Sequence, residues 1–212
     1  MTIEIWSDLV CSWCYIGKRH LERALEAFPE RDRVTIRWRS FELAPTIARD
    51  AGTADEELAR RRGISLDEAR EMHEQTERQG AEFGIAFDFR RARRGNTFDA
   101  HRVLHMAADA GCQQPVMERL LAGYFSEGGA IGDRGTLAAA AAQAGLDRDQ
   151  VAEMLAGERY AAEVRADEQE AAALGITGVP FFVVNRRYGL SGAQPPQVLL
   201  QAIEQAWADV AA

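Results

Sequence analysis

The tetrapeptide Cys11-Ser12-Trp13-Cys14 carries more structural information than any other part of the chain. It follows a short strand-like alternation, Thr2 to Trp6, and begins a segment with helical periodicity. With two residues between them, the cysteines lie on one face of a helical turn, so their sulfur atoms come close together. This arrangement is typical of a dithiol that exchanges disulfides with another molecule.

The position of Cys11 at the start of a helix predicts that it is the nucleophile. The first turn of a helix has backbone N–H groups without helical partners and the positive end of the helix dipole, and both stabilise a thiolate. Cys14 can then attack a mixed disulfide on Cys11 and release the partner molecule. We therefore expect Cys11 and Cys14 to be the catalytic pair.

The composition indicates a globular chain with no nucleic-acid partner. Its 212 residues are 47% hydrophobic, which is enough to bury a core. The 25 basic residues are outnumbered by 33 acidic ones, giving a formal charge of −8, which argues against nucleic-acid binding. Three cysteines are too few for a disulfide scaffold, so the pair is predicted to be catalytic.

The N-terminal residues show strand alternation and the acidic Glu4 and Asp8, where a secretory signal would have a basic and then an apolar region. No apolar run approaches the roughly 20 residues that span a bilayer. We therefore expect a cytoplasmic protein with no membrane partner, in a compartment where disulfides are transient.

The order of predicted elements gives an interrupted α/β fold. A strand, a helix ending before Pro29 and a second strand around Ile36 form the opening of a parallel unit. The middle of the chain is helical, with capping-box spacing at 53 and 56, 65 and 68, and 147 and 150. Strands return at 181–185 and 188–192, before a final helix. The predicted domains are 1–45 with 160–212, and a helical insertion at 46–159.

Several motifs resemble the DsbA family of thiol-disulfide oxidoreductases. The fold elements resemble those of thioredoxin, and the helical insertion resembles that of DsbA. The narrower likeness is to the cytosolic FrnE-like branch. It rests on motifs spread along the chain: Ser7-Asp8 before the Cys-x-Trp-Cys, Asn96-Thr97 with Ala100-His101, Ile131-Gly132-Asp133-Arg134, and Ser191-Gly192-Ala193-Gln194-Pro195.

This resemblance implies an α/β thioredoxin fold, with a large all-helical insertion between the second strand and the helix that precedes the Val179-Pro180 step. It further implies that the Val179-Pro180 bond is cis and faces the dithiol. Val179 would then offer backbone hydrogen bonds to a substrate strand, which favours protein substrates of broad sequence. Small-molecule disulfides are the other expected substrate class.

The resemblance also places Asn96 and His101 near the active-site cleft, and Asp8, close to Cys11 in the sequence, is a further cleft candidate. From the residues alone, His101 is typical of a helix histidine whose hydrogen bonds are satisfied locally. Asp8 has two opposed candidate roles, repelling the thiolate by like charge or relaying a proton through water. Trp13 is expected to shield the dithiol and contact a partner, with ordinary helix packing as the alternative. Ser12 departs from the proline that the family commonly has here, so the redox direction stays open.

A zinc site is the structural alternative for a Cys-x-x-Cys pair, but it needs about four ligands. Cys112, His101 and His105 are the remaining candidates, and their spacing lacks the glutamate of a metalloprotease motif. We expect no metal and no bound cofactor, with glutathione as a candidate co-substrate. Cys112, just after Gly111, is typical of a packing residue.

Two other functions are compatible with parts of the pattern. Kappa-class glutathione transferases and 2-hydroxychromene-2-carboxylate isomerases resemble the same fold with an insertion, but they typically have serine at the position of Cys11. A non-catalytic interaction module is the third class, for which a reactive dithiol is a liability. The composition is compatible with a monomer and with a homodimer.

Overall fold

The computed structural model describes residues 1–211, and contacts between Cα atoms divide the chain into two compact units. The first unit contains Met1–Leu43 together with the chain from Arg165 onward, and the second contains Ala44–Val164. Each unit has its own core, and each is described separately below.

The first unit is built around a four-stranded mixed sheet in the order β2-β1-β3-β4. The strands are β1 (Thr2–Ser7), β2 (Thr35–Ser40), β3 (Phe181–Val184) and β4 (Tyr188–Ser191). β1 and β2 are parallel, whereas β3 is antiparallel to both β1 and β4. Helix α1 (Ser12–Ala27) connects β1 to β2, and α9 (Pro196–Ala211) follows β4.

The two faces of this sheet are covered by different helices. On one face, Phe182 of β3 lies against α1, which in turn packs on α9 through the edge-to-face pair of Phe28 and Trp207. On the other face, Trp6 of β1 is fully buried and its indole N–H donates to the carbonyl of Asp167, 2.9 Å away, in α8 (Ala161–Ala173). The sheet is therefore packed between helices. β1 ends at Ser7, and a short loop connects it to Cys11.

A buried ionic network fastens β2 to α8. Arg39 donates to Glu4 and to Asp167, at 2.9 and 2.8 Å, and the backbone N–H of Ser40 donates to the second oxygen of Asp167 at 2.8 Å. Arg186, in the turn between β3 and β4, also pairs with Glu4 at 2.9 Å. Because each buried carboxylate is paired, the cost of burying its charge is offset.

The second unit is helical, as the sequence predicts. It contains α2 (Ala54–Arg62), α3 (Leu66–Ala81), α4 (Phe98–Asp109), α5 (Gln113–Phe125), α6 (Arg134–Gln143) and α7 (Arg148–Ala156), followed by the first residues of α8. Reciprocal capping boxes begin α2 and α3 as predicted. At α7, Asp147 caps the backbone of Gln150, so the N-cap is confirmed.

Aromatic and ionic clusters hold the second unit together. Phe87 and Phe89 are both buried and pack against Phe125. They are therefore core residues. The buried Arg102 donates to Asp99 at 2.8 Å and to the carbonyl of Met154 at 2.7 Å, which ties α4 to α7.

The observed architecture is the α/β thioredoxin-like arrangement that the resemblance implies, with an inserted set of helices between β2 and α8. Across residues 1–211, no helix combines the length and the apolar character needed to cross a membrane.

Candidate active site

Cys11 is the N-cap residue of α1, immediately after the loop that follows β1. Its backbone N–H donates to the carbonyl of Asp8 at 3.1 Å, and its own carbonyl accepts from the N–H of Cys14 at 3.0 Å. These bonds fix the turn between the strand and the helix. The residue keeps 8% of its surface exposed, whereas Cys14 has none. Both cysteines are therefore buried, but only Cys11 keeps any exposed surface.

Burial raises the pKa of Cys14 well above the ordinary value, and the hydrogen bond and charge of Cys11 raise it further. The Ser7 side chain and the Asp8 backbone form hydrogen bonds that lower the pKa of Cys14, but they do not reverse the shift. A buried thiolate is unfavourable because the interior solvates charge poorly. Cys14 is therefore held as a neutral thiol beside Cys11.

The loop before β3 lies against the dithiol. The Val179-Pro180 bond is cis, and the Cys11 thiol donates to the Val179 carbonyl with an Sγ to O distance of 3.6 Å. On the helix side, a Cβ atom placed on Gly17 would lie 3.1 Å from Cγ of Pro180. The absence of a side chain at Gly17 is therefore what lets α1 approach this loop so closely.

Asp8 is fully buried, and its Oδ2 atom accepts the backbone N–H of Leu43 at 2.8 Å. Its backbone touches Cys14 through the hydrogen bond named above. Ser12 begins the helix and is half-buried, whereas Trp13 is 46% exposed. The exposed part of the indole is compatible with contact to a partner, and the role of Trp13 stays a prediction.

Asn96 and His101 belong to the second unit. Asn96 donates through its side chain to the carbonyl of Pro45 at 3.0 Å and accepts the backbone N–H of Phe98 at 2.9 Å. His101 is buried within α4 at 1% exposure. Both have structural roles in their own unit, and their place in a cleft stays a prediction.

Within the described chain, no group of three or more His, Cys, Asp and Glu residues is arranged to hold a metal ion. All three cysteines are free thiols. Cys112 is half-buried at the N-cap of α5, where its N–H donates to the carbonyl of Ala107 at 2.8 Å.

Three residues of α1 have surroundings that the sequence does not predict. Lys18 is only 4% exposed, although lysine ordinarily lies on a solvated helix face, and its ammonium pairs with Glu22. His20 makes a contact that the sequence does not predict. Its Nδ1 atom lies 2.8 Å from the carbonyl oxygen of Gln194. Gly17 and His20 are three residues apart on one helix face, and that spacing is the signal that could have linked them.

The family described as DSBA-like thioredoxin domain matches residues 2–204 of the chain. Among solved structures, the chain is similar to a probable DsbA oxidoreductase from Streptomyces coelicolor, with 44% sequence identity and a TM-score of 0.92. The match covers 98% of this chain and 90% of that one. None of the curated proteins compared with the chain matches it.

Two more distant structures share the fold. A 2-hydroxychromene-2-carboxylate isomerase has 15% identity and a TM-score of 0.70, over 100% of this chain and 98% of the other. The cytosolic disulfide reductase DsbM from Pseudomonas aeruginosa, solved with GSH, has 19% identity and a TM-score of 0.65, over 98% of this chain and 100% of that one. From the family match and the 44% identity, the chain belongs to the DsbA-like thioredoxin-domain family.

Proposed function

We propose that the chain is a thiol-disulfide oxidoreductase that works through a Cys11/Cys14 couple. The observation that carries this proposal is the difference between the two thiols. Cys11 has exposed surface at the start of a helix and beside the Val179 carbonyl, whereas Cys14 is fully buried three residues later. A nucleophile has to be reached by its substrate, and a resolving thiol has to be kept from competing with it.

The reaction is two successive displacements at sulfur. The Cys11 thiolate attacks one sulfur of a substrate disulfide, whose S–S bond breaks while a mixed disulfide forms and the second substrate sulfur leaves as a thiolate. Cys14 loses its proton and attacks the Cys11 sulfur, which releases the remaining substrate thiolate. The substrate disulfide gains two electrons and the enzyme forms the Cys11-Cys14 disulfide, and the reverse sequence oxidises a substrate dithiol.

The residues around the dithiol control the access of a substrate to Cys11 and the transfer of the proton from Cys14. Val179 and Pro180 form the wall beside Cys11, and Trp13 presents an exposed aromatic surface to an extended substrate segment. Ser12 retains a backbone N–H in the first turn of α1. Asp8, which is buried and whose backbone hydrogen-bonds to the Cys14 thiol, is proposed to take the proton that Cys14 releases.

The physiological setting is a further part of this proposal. We assign protein or small-molecule disulfides as substrates, no tightly bound cofactor, and glutathione as the thiol that regenerates the couple. The motifs around the dithiol and at 191–195 support the FrnE-like branch, and the small number of cysteines supports a reducing cytoplasm.

The proposal is tested with insulin and with glutathione disulfide as substrates. Cys11→Ser should abolish turnover, and Cys14→Ser should accumulate a mixed disulfide that mass spectrometry detects. Cys112→Ser is the matched control, and it should turn over like the wild type. Full activity in both Cys11→Ser and Cys14→Ser would reject the assignment.

A glutathione-handling reaction is the second candidate, favoured by the fold shared with the isomerase and with DsbM solved with GSH. Such chemistry activates bound glutathione and needs no second thiol. Glutathione conjugation or isomerisation that persists unchanged in Cys14→Ser would favour this candidate. Loss of all turnover in the same variant would favour the dithiol mechanism.

A further inference from the structure

The segment Ser191-Gly192-Ala193-Gln194 begins at the last residue of β4 and is not used by the mechanism above. It is nevertheless joined to the loop beside the dithiol, because the backbone N–H of Gly192 donates to the carbonyl of Pro180 at 2.8 Å. Gly192 has φ of +80°, a conformation that favours glycine. The N–H of Gln194 then donates to the carbonyl of Gly192 at 2.9 Å, which makes the segment a tight turn.

Helix α1 holds the other side of this turn through His20. The imidazole is 8% exposed, and its Nδ1 atom lies 2.8 Å from the carbonyl oxygen of Gln194. A carbonyl oxygen only accepts hydrogen bonds, so Nδ1 carries the hydrogen and donates it. The same bond forms in the neutral tautomer protonated at Nδ1 and in the imidazolium, because both carry that hydrogen.

Gly17, on the same face of α1 as His20, lies against both the Pro180 loop and the turn at 191–194. A Cβ atom at Gly17 would lie 3.1 Å from Pro180 and 3.5 Å from Cβ of Ala193. The turn at 191–194 is therefore packed between α1 and the Pro180 loop. A path of hydrogen bonds runs from His20 through Gln194 and Gly192 to the carbonyl of Pro180.

We infer that His20 is a positioning residue of the active site. By holding the carbonyl of Gln194, it fixes the turn whose Gly192 amide holds Pro180, and so keeps the preceding Val179 carbonyl beside the Cys11 sulfur. This inference rests on the proposed function, since it assigns His20 to substrate docking in disulfide exchange. His20 lies six residues beyond Cys14, about 9 Å along the helix axis, and acts through the turn.

Two substitutions distinguish the effect of the hydrogen bond that His20 donates from the effect of the volume of its imidazole ring. His20→Leu keeps an apolar side chain but removes the donor, whereas His20→Asn places an amide N–H near the position of Nδ1. We expect His20→Leu to raise KM for a peptide disulfide at least tenfold, with less than a threefold change in kcat. His20→Asn should stay within about threefold of the wild type in KM, and its pH–rate profile between about pH 5 and 8 should match.

His105→Leu, the same change on α4 of the second unit, is the matched control and should leave KM unchanged. A readout that does not depend on turnover is the hydrogen exchange of the Gly192 amide. His20→Leu should speed this exchange at least tenfold, and His20→Asn should leave it near the wild-type rate. Circular dichroism and thermal unfolding confirm that each variant is folded.

The outcomes distinguish the two proposals. A wild-type protein without disulfide-exchange activity overturns the proposed function. The hydrogen-exchange rate of the Gly192 amide then still tests whether His20 holds the turn. Unchanged amide exchange in folded His20→Leu overturns the positioning role, and so does an unchanged KM in an active enzyme. Equal damage in His20→Asn and His20→Leu, or loss of one limb of the pH profile in His20→Asn, also overturns it.

Discussion

The Cys11 thiol donates a hydrogen bond to the carbonyl of Val179, a residue 168 positions away in the sequence, with 3.6 Å between Sγ and oxygen. The bond needs the S–H hydrogen, so it exists only while Cys11 is protonated. When the thiolate forms, that hydrogen is lost and the Val179 carbonyl is freed. Under the proposed function, a substrate backbone N–H would then take the place of the thiol as donor, and this would link activation of the nucleophile to docking of the substrate.

The buried thiol of Cys14 predicts a pH dependence of stability. Its folded pKa is raised, chiefly by burial, so the folded state holds the proton at pH values where the unfolded chain has released it. The stabilisation is complete below the unfolded pKa and is lost as the pH rises toward the folded one. The loss approaches about 1.4 kcal/mol per pH unit in that window.

This dependence is measured as the free energy of unfolding in urea, under reducing conditions, between about pH 7 and pH 10. Cys14→Ser removes the titrating thiol and should flatten the curve relative to the wild type. The reduced Cys112→Ser variant is the control and should keep the wild-type slope, because its thiol is half-buried at a helix end. Identical slopes in Cys14→Ser and the wild type contradict the prediction.

Trp13 is predicted to act on substrate binding more than on stability. Nearly half of its surface is exposed, at 46%, so Trp13→Ala should change the free energy of unfolding by less than about 1 kcal/mol. The same change should raise KM for a peptide disulfide about fivefold to tenfold while leaving that for glutathione disulfide nearly unchanged. Steady-state kinetics with both substrates measures the difference.

Leu174→Ala is the comparison for Trp13→Ala. Leu174 is also exposed, at 53%, but lies beyond the end of α8 and outside the dithiol helix. Its loss should leave KM for both substrates unchanged. Equal effects of Trp13→Ala on the peptide and on glutathione disulfide would show that the indole acts on the dithiol itself.

The elements around the dithiol could be predicted because their signals are local. Alternation at Thr2 to Trp6, the Cys-x-x-Cys spacing and the serine and threonine caps all depend on neighbouring residues. The confirmed capping boxes at Thr53 and Ser65 show the strength of such signals.

The features that the sequence did not indicate depend on partners distant in the chain. The indole N–H of Trp6 donates to the carbonyl of Asp167, 161 positions later in the chain. The contact of His20 with Gln194 joins residues 174 positions apart, and no local pattern encodes it.

Asp99 is predicted to be the main acidic determinant of stability in the second unit. Burial raises its pKa, but hydrogen bonds from Arg134 and Arg102 and the charges of Arg134 and Arg49 outweigh this and lower it. A lowered folded pKa stabilises the protein above the unfolded value, and this contribution is lost as the pH falls through the folded one. Asp99→Asn should therefore destabilise the protein at pH 7, by about 3 kcal/mol.

Asp50→Asn is the control for Asp99→Asn. Asp50 also has a lowered pKa, from its hydrogen bonds to the Gly52 backbone and to Arg93, but it is exposed to water. An exposed pair contributes little, so Asp50→Asn should leave urea unfolding nearly unchanged. The difference between Asp99→Asn and the wild type should shrink as the pH falls from 5 to about 3. A difference that is constant across that range contradicts the ionic explanation.

Gly17 is predicted to resist replacement by a bulky side chain, although it lies inside a helix where alanine is ordinarily favoured by about 1 kcal/mol. A Cβ atom there would meet the rigid ring of Pro180 at 3.1 Å and Phe182 at 3.3 Å, so Gly17→Val should cost about 1–3 kcal/mol. It should also displace the Pro180 loop and lower kcat/KM for a peptide disulfide. Gly123→Ala in α5 is the matched control, since its Cβ would meet only the flexible end of Arg119, at 3.3 Å, and should stabilise the fold. A Gly17→Val variant as stable and as active as the wild type would show that α1 and the loop are free to separate.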